Sequence, residues 1–75
     1  MTVKEWMEKN GENYCYMELT IVNEDRSIIL DDRIAYLDDR SADYNQEWQS
    51  RCEGRKIIRE FSTPNGIGLQ LEGIN

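Results

Sequence analysis

The sequence predicts an α+β domain: a small antiparallel sheet of about four strands, built as two hairpins, with a short N-terminal helix and a central acidic helix packed on one face. Three observations predict it. Residues 14–22 alternate apolar and polar with a period of two, the pattern of a half-buried strand. Thr63-Pro64-Asn65-Gly66 is a strong turn signal with an alternating run after it. Between the two strand pairs, Tyr44, Trp48 and Cys52 recur every four residues, the spacing of one helical face.

Taken in order, Thr2-Val3-Lys4-Glu5 fits a capping box, in which the Thr2 hydroxyl accepts from the third backbone N–H and Glu5 reaches back. Val3, Trp6 and Met7 then share a helical face, and Gly11 after Asn10 reads as a stop. A helix of about two turns does not hold by itself, so this one is expected to dock through Trp6. From Tyr14 to Val22, Cys15, Met17, Leu19 and Ile21 take one face of a strand while Tyr16, Glu18 and Thr20 take the other. Asn23-Glu24-Asp25-Arg26 is turn-like, and Ser27-Ile28-Ile29-Leu30 reads as the strand that completes the first hairpin.

The region after Leu30 supports two readings. Asp31 or Asp32 caps a short helix that carries Ile34 and Leu37 inward, or the second strand runs on through Ile34 and Tyr36, which share the parity of Ile28, Leu30 and Asp32. Ser41 is a second candidate N-cap, for a helix from about Ala42 to about Cys52 that stops at Gly54. Residues 55–61 read as a third strand. Ile67, Leu69 and Leu71 alternate with Gly68, Gln70 and Glu72 in a fourth. The expected core is Trp6, Leu19, Trp48, Phe61 and Leu69, because so small a domain needs its large apolar side chains inside.

Composition narrows the function classes. With 75 residues, 39% apolar and 32% charged, the chain reads as one globular domain near the lower size limit for a self-sufficient core. Fifteen acidic residues against nine basic ones, with no histidine, give a net charge of −6. That sign repels nucleic acid and anionic lipid and favours a basic partner. The N-terminus lacks the apolar run of a secretory signal, and no window approaches the roughly 18 apolar residues of a membrane span. Cys15 and Cys52 form no Cys-x-x-Cys pair and read as reduced, buried thiols, which suits a cytoplasmic protein.

No catalytic motif stands out. A charge-relay triad needs a base, most often histidine. Arg51 and Arg55 near Cys52 would favour a thiolate, yet no partner base accompanies it. Paired carboxylates can work on sugars or hold magnesium, but adjacent residues on a helix point in different directions. Two cysteines fall short of the four ligands of structural zinc, and Gly66-Ile67-Gly68 lacks the third glycine of a dinucleotide loop. The expectation is therefore a non-enzymatic protein with no cofactor and no metal. Arg51, Arg55, Lys56 and Arg59 form a local basic cluster, read as pairing with nearby carboxylates or capping a helix end rather than as a nucleic-acid contact.

The charge that remains is concentrated mid-chain. Asp-Asp-Arg occurs at 31–33 and again at 38–40, followed by Asp43, Glu47 and Glu53. On a helix, a seven-residue spacing puts both Asp-Asp pairs on one side, roughly 10 Å apart. That is close to three base-pair steps of duplex rise at about 3.4 Å each. On a strand, the odd spacing sends the copies to opposite faces. The candidate partner-binding residues are Asp31, Asp32, Asp38, Asp39, Asp43 and Glu47, acting as acceptors for arginine and lysine on a basic protein surface. The plainer reading is a solvated face that keeps the domain soluble. In size, charge and lack of catalytic residues, the chain is similar to phage-encoded inhibitors that mimic DNA, including anti-CRISPR proteins. The similarity is one of type, carried by composition. It implies blockade of a nucleic-acid-binding enzyme in a host cytoplasm. The alternative is an accessory protein that dimerises or binds through an exposed strand edge, where Tyr14, Tyr16, Gln70 and Ile74 would matter more.

Overall fold

The N-terminal helix begins where its cap begins. In the computed structural model, which describes residues 1–38, 40–42 and 44–73, helix α1 spans Val3–Asn10. The Thr2 hydroxyl accepts from the Glu5 N–H at 3.2 Å, and the Glu5 carboxylate accepts from the Thr2 N–H at 2.9 Å, so the capping box is complete. Gly11 does not end the helix by turning left-handed. Its φ of −58° is right-handed, its N–H donates to the Met7 carbonyl at 2.9 Å, and turns continue to residue 16. The first strand therefore starts later than the alternation from Tyr14 suggested.

Strand β1 is Glu18–Val22, β2 is Ile28–Arg33, β3 is Ile57–Thr63 and β4 is Gly66–Leu71. They form one sheet in the order β2-β1-β4-β3. Both expected hairpins are present, but the sheet is mixed rather than antiparallel: β1 and β4 join the hairpins in parallel, with Glu18 opposite Gly66 and Ile21 opposite Leu69. Gly66 is what allows that seam to start, since a Cβ at this position would run into the backbone of Glu18.

The first hairpin turns through Arg26, whose φ of 73° is the only positive value at a non-glycine among the described residues. Asp25 holds the turn by accepting from the Ser27 N–H at 3.0 Å and the Ser27 hydroxyl at 2.6 Å. The second hairpin turns through Pro64 and Asn65 without any positive φ, so proline's preset dihedral and not the tolerance of Asn-Gly shapes it.

Both readings of the central region hold in part. The strand runs through Asp31 and Asp32 to Arg33, and then a 3-10 helix, Ile34–Leu37, buries Ile34 and Leu37. Its leading N–H groups are taken by β1's approach, Ile34 to the Met17 carbonyl at 2.9 Å and Ala35 to Cys15 at 3.0 Å. Helix α2 is Glu47–Cys52, shorter than the expected 42–52. The Asn45 N–H donates to the Tyr36 carbonyl at 2.7 Å and its side chain accepts from the Glu47 N–H at 3.0 Å, so Asn45 rather than Ser41 shapes the start of this helix. With Glu47 and Arg51 among its six residues, α2 is not an acidic helix.

Register places Leu19, Ile21, Leu30 and Leu69 on one side of the sheet, in one buried cluster with Val3 and Trp6 of α1 and Trp48 and Cys52 of α2. Trp6, Leu19, Trp48 and Leu69 are core, as expected. Phe61 is only half-buried. It pairs with Gly68 on the sheet's other side, its ring lying where a Gly68 side chain would be, with the Arg59 guanidinium 4.8 Å from the ring centre. Glycine is needed at 68 because that ring fills the space.

Candidate functional site

The acidic repeat is divided by the strand that carries half of it. Asp31 lies opposite Thr20 and Asp32 opposite Leu19, so strand alternation sends the two carboxylates to opposite faces. Asp31 is exposed and receives a long hydrogen bond from the Thr20 hydroxyl, 3.4 Å. Asp32 is half-buried, accepting from the Asn45 amide at 3.0 Å and the Arg33 N–H at 2.8 Å. The extended backbone won because Leu30 pairs with Ile21 in the core and the ladder continues to Glu18 and Arg33.

Asp38 and Glu47 each hold an arginine of the same chain. Arg40 grips Asp38 with Nε and Nη2, the shortest contact being 2.7 Å, and Arg51 reaches Glu47 at 3.4 Å, four residues apart on α2. Asp39 and Asp43 lie outside the described residues, as does Ile74 of the strand-edge alternative. The four described members of the expected site are thus not brought together as one carboxylate surface. Glu47 sits at the start of α2, Asp38 at the mouth of a groove, and Asp31 and Asp32 on the two sides of β2.

Asp38 lines a groove of about 810 Å³. One wall is α1 and the turn after it, presenting Met7, Glu8, Gly11, Glu12 and Cys15. The other wall comes from the 3-10 helix, the following loop and α2, presenting Ala35, Asp38, Tyr44, Trp48 and Glu53. Among the described residues, the floor is apolar and the rim holds four carboxylates, Glu8, Glu12, Asp38 and Glu53, against two cations, Lys4 and Arg40. Arg40 leans across the mouth: bound to Asp38, it also comes within 3.9 Å of Glu12 on the opposite wall. Trp48 is 6% exposed, yet its indole N–H has no acceptor among the described residues.

Glu8 and Glu12 did not emerge from the sequence as site residues. Their signal was present as two neighbouring stripes with four-residue spacing, Lys4-Glu8-Glu12 and Met7-Gly11-Cys15, one charged and one small or apolar. The helix does stop at Asn10 with Gly11 as its C-cap, as the sequence suggested, and it is the turns continuing to residue 16 that carry both stripes past that stop.

The other chemistries find little here. Cys52 is 2% exposed, donates to the Trp48 carbonyl at 3.2 Å, and burial pushes its thiol up to about 11 in spite of Arg55 and Arg51. The thiolate that those arginines suggested is therefore not formed at neutral pH. Both cysteines are free. Among the described residues, no three His, Cys, Asp or Glu side chains come together as a metal-binding group, and no helix is long and apolar enough to cross a membrane. The three arginines of the basic cluster make structural contacts. Arg51 also donates to the Ile29 carbonyl, Arg55 bonds Asn23 and the Glu72 carbonyl, and Arg59 bonds Gln70.

Comparison with protein-family models, with curated proteins and with solved structures gave no match.

Proposed function

We propose that this protein is a non-enzymatic, acidic binding module that acts in the cytoplasm and engages a basic surface of a partner protein. The observation that carries the reading is an open groove with an apolar floor and a mainly carboxylate rim, in a domain whose net charge is −6. Such a rim attracts lysine and arginine and repels phosphate, so the partner is a protein and neither nucleic acid nor an anionic membrane. In its most specific form the module is an inhibitor of the phage-encoded kind that occupies the Lys- and Arg-lined channel of a nucleic-acid-binding enzyme. Charge supports that form; helical, phosphate-like spacing of Asp31, Asp32 and Asp38 does not, because β2 is extended.

Capture from cell extract at low and high salt tests the reading. Basic proteins should be retained at low ionic strength and released as exposed charges become screened within about 10 Å at 0.1 M salt. Retention of the same proteins irrespective of salt would overturn it.

A second reading rests on the edge strand β3, where Ile58 is 50% exposed beside a register shift. The N-terminal residues cover the start of this edge, the Ile57 N–H donating to the Met1 carbonyl, and the stretch from the exposed isoleucine onward can pair with a second copy. Sedimentation of the wild type and of Ile58→Lys decides it: a dimer that the substitution dissociates supports edge pairing, and a monomer in both removes it.

A further inference from the structure

Arg40 shows what the groove's mouth accepts. Its guanidinium holds Asp38 from one wall at 2.7 Å and stands 3.9 Å from Glu12 on the other, yet its side chain is 72% exposed. The 3.9 Å contact to Glu12, whose side chain is 87% exposed, is an ion pair of the kind that contributes little to stability and exchanges easily. The position between the walls is thus a cation site that the chain fills with its own residue. Below it lies an apolar floor that includes Met7, Ala35 and Tyr44, together with Trp48, whose indole N–H is unpartnered. Methionine and aromatic side chains at such a floor adapt to apolar side chains of differing shape.

We propose that this groove is the docking site for a basic amphipathic segment of the partner protein: its apolar residues rest on Met7, Ala35, Tyr44 and Trp48, and one of its arginines or lysines replaces Arg40 between Glu12 and Asp38. The inference rests on the basic-partner reading and adds where the partner docks and what sequence character it has. Complementary charge selects the occupant. A rim with Glu8, Glu12, Asp38 and Glu53 disfavours an acidic segment, and the apolar floor disfavours a wholly polar one. Arg40 acts as an internal competitor, so removing its charge strengthens docking.

The probe is a tryptophan-free amphipathic Leu/Arg peptide of about 18 residues, five helical turns, with an analogue carrying Glu for Arg as control. Binding is followed through amide and indole N–H resonances of the folded, full-length chain. The expected result is a shift of the Trp48 indole and of the Gly11 and Ala35 amides. Affinity should fall about two- to fivefold in Glu12→Gln, the range for one exposed ion pair, rise by a similar factor in Arg40→Gln, and stay unchanged in Asp31→Asn. Binding that shifts other resonances, and that Asp31→Asn weakens while Glu12→Gln does not, overturns the groove and leaves the basic-partner reading standing. No binding up to about 1 mM, the weak end of recognition, or equal binding of the glutamate analogue, overturns both.

Discussion

The unpartnered indole of Trp48 allows a sharp test through a pair of matched substitutions. Trp6 and Trp48 are nearly equally buried, 3% and 6% exposed, but only Trp48 has a buried N–H without an acceptor among the described residues. Replacing either by Phe removes roughly 40 Å³, which at about 24 cal/mol per Å³ of cavity costs about 1 kcal/mol. In Trp48→Phe a second term opposes this loss, because a buried, unsatisfied donor costs about 1–3 kcal/mol and the variant no longer carries it. Trp6→Phe should therefore be about 1 kcal/mol less stable than the wild type. Trp48→Phe should lie between equal stability and about 2 kcal/mol more stable. At about 4–8 °C per kcal/mol for a domain of this size, thermal unfolding followed by far-UV circular dichroism separates the two variants readily. If Trp48→Phe loses as much as Trp6→Phe, the indole N–H is satisfied in solution and the account of the groove floor is wrong.

Three further outcomes follow from single residues. Arg26, with φ at 73°, should be replaceable by glycine with a change between neutral and a gain of about 1.5 kcal/mol, the left-handed strain of roughly 1–2 kcal/mol less glycine's entropic cost of about 0.5–1 kcal/mol; a loss in chemical denaturation would contradict this. Iodoacetamide should modify half-buried Cys15 well before Cys52, whose thiol is pushed up to about 11 by burial, and mass spectrometry that finds Cys52 modified first would refute its assigned environment. Glu5 and Asp25 sit below their ordinary values of 4.5 and 3.8, Glu5 chiefly because the Thr2 N–H donates to it and Asp25 chiefly because the Ser27 hydroxyl does. A lowered carboxylate stabilises the fold above its unfolded value and loses that contribution as pH falls through the folded one. The melting temperature should thus decline as pH drops below 4.5, and Glu5→Ala should flatten part of that decline; an unchanged pH profile in Glu5→Ala would refute the capping contribution.

Local rules account for what was legible in the sequence. The capping box at Thr2 and Glu5, the hairpin at Pro64 and Asn65, and the inward faces of Leu19, Ile21, Leu69 and Leu71 each depend on residues a few positions apart. The parallel seam between β1 and β4 joins residues nearly fifty positions apart, and alternation does not say which edges meet. The clue was Gly66, which fits a close approach of Glu18 as well as it fits a turn. Segment 31–40 stayed ambiguous because parity ran on past Arg33 to Ile34 and Tyr36. Hydrogen bonds to Met17 and Cys15, set by tertiary structure, curl the chain there instead. The candidate site was the least legible part. The acidic run lies in one stretch of chain, whereas the groove's rim is assembled from Glu8 and Glu12 on one wall and Asp38 and Glu53 on the other.

Recruitment of a basic partner by the rim carboxylates must show in how binding responds to salt. The salt dependence of one binding curve, taken with the wild type and with the Glu8→Gln/Glu12→Gln double variant against the same Leu/Arg peptide, tests it most directly. The wild type should lose affinity steeply between low salt and 0.15 M, where charges more than about 8 Å apart are screened, and the double variant should bind more weakly with a visibly shallower slope. Affinity that ignores salt, or slopes that coincide, would contradict the claim.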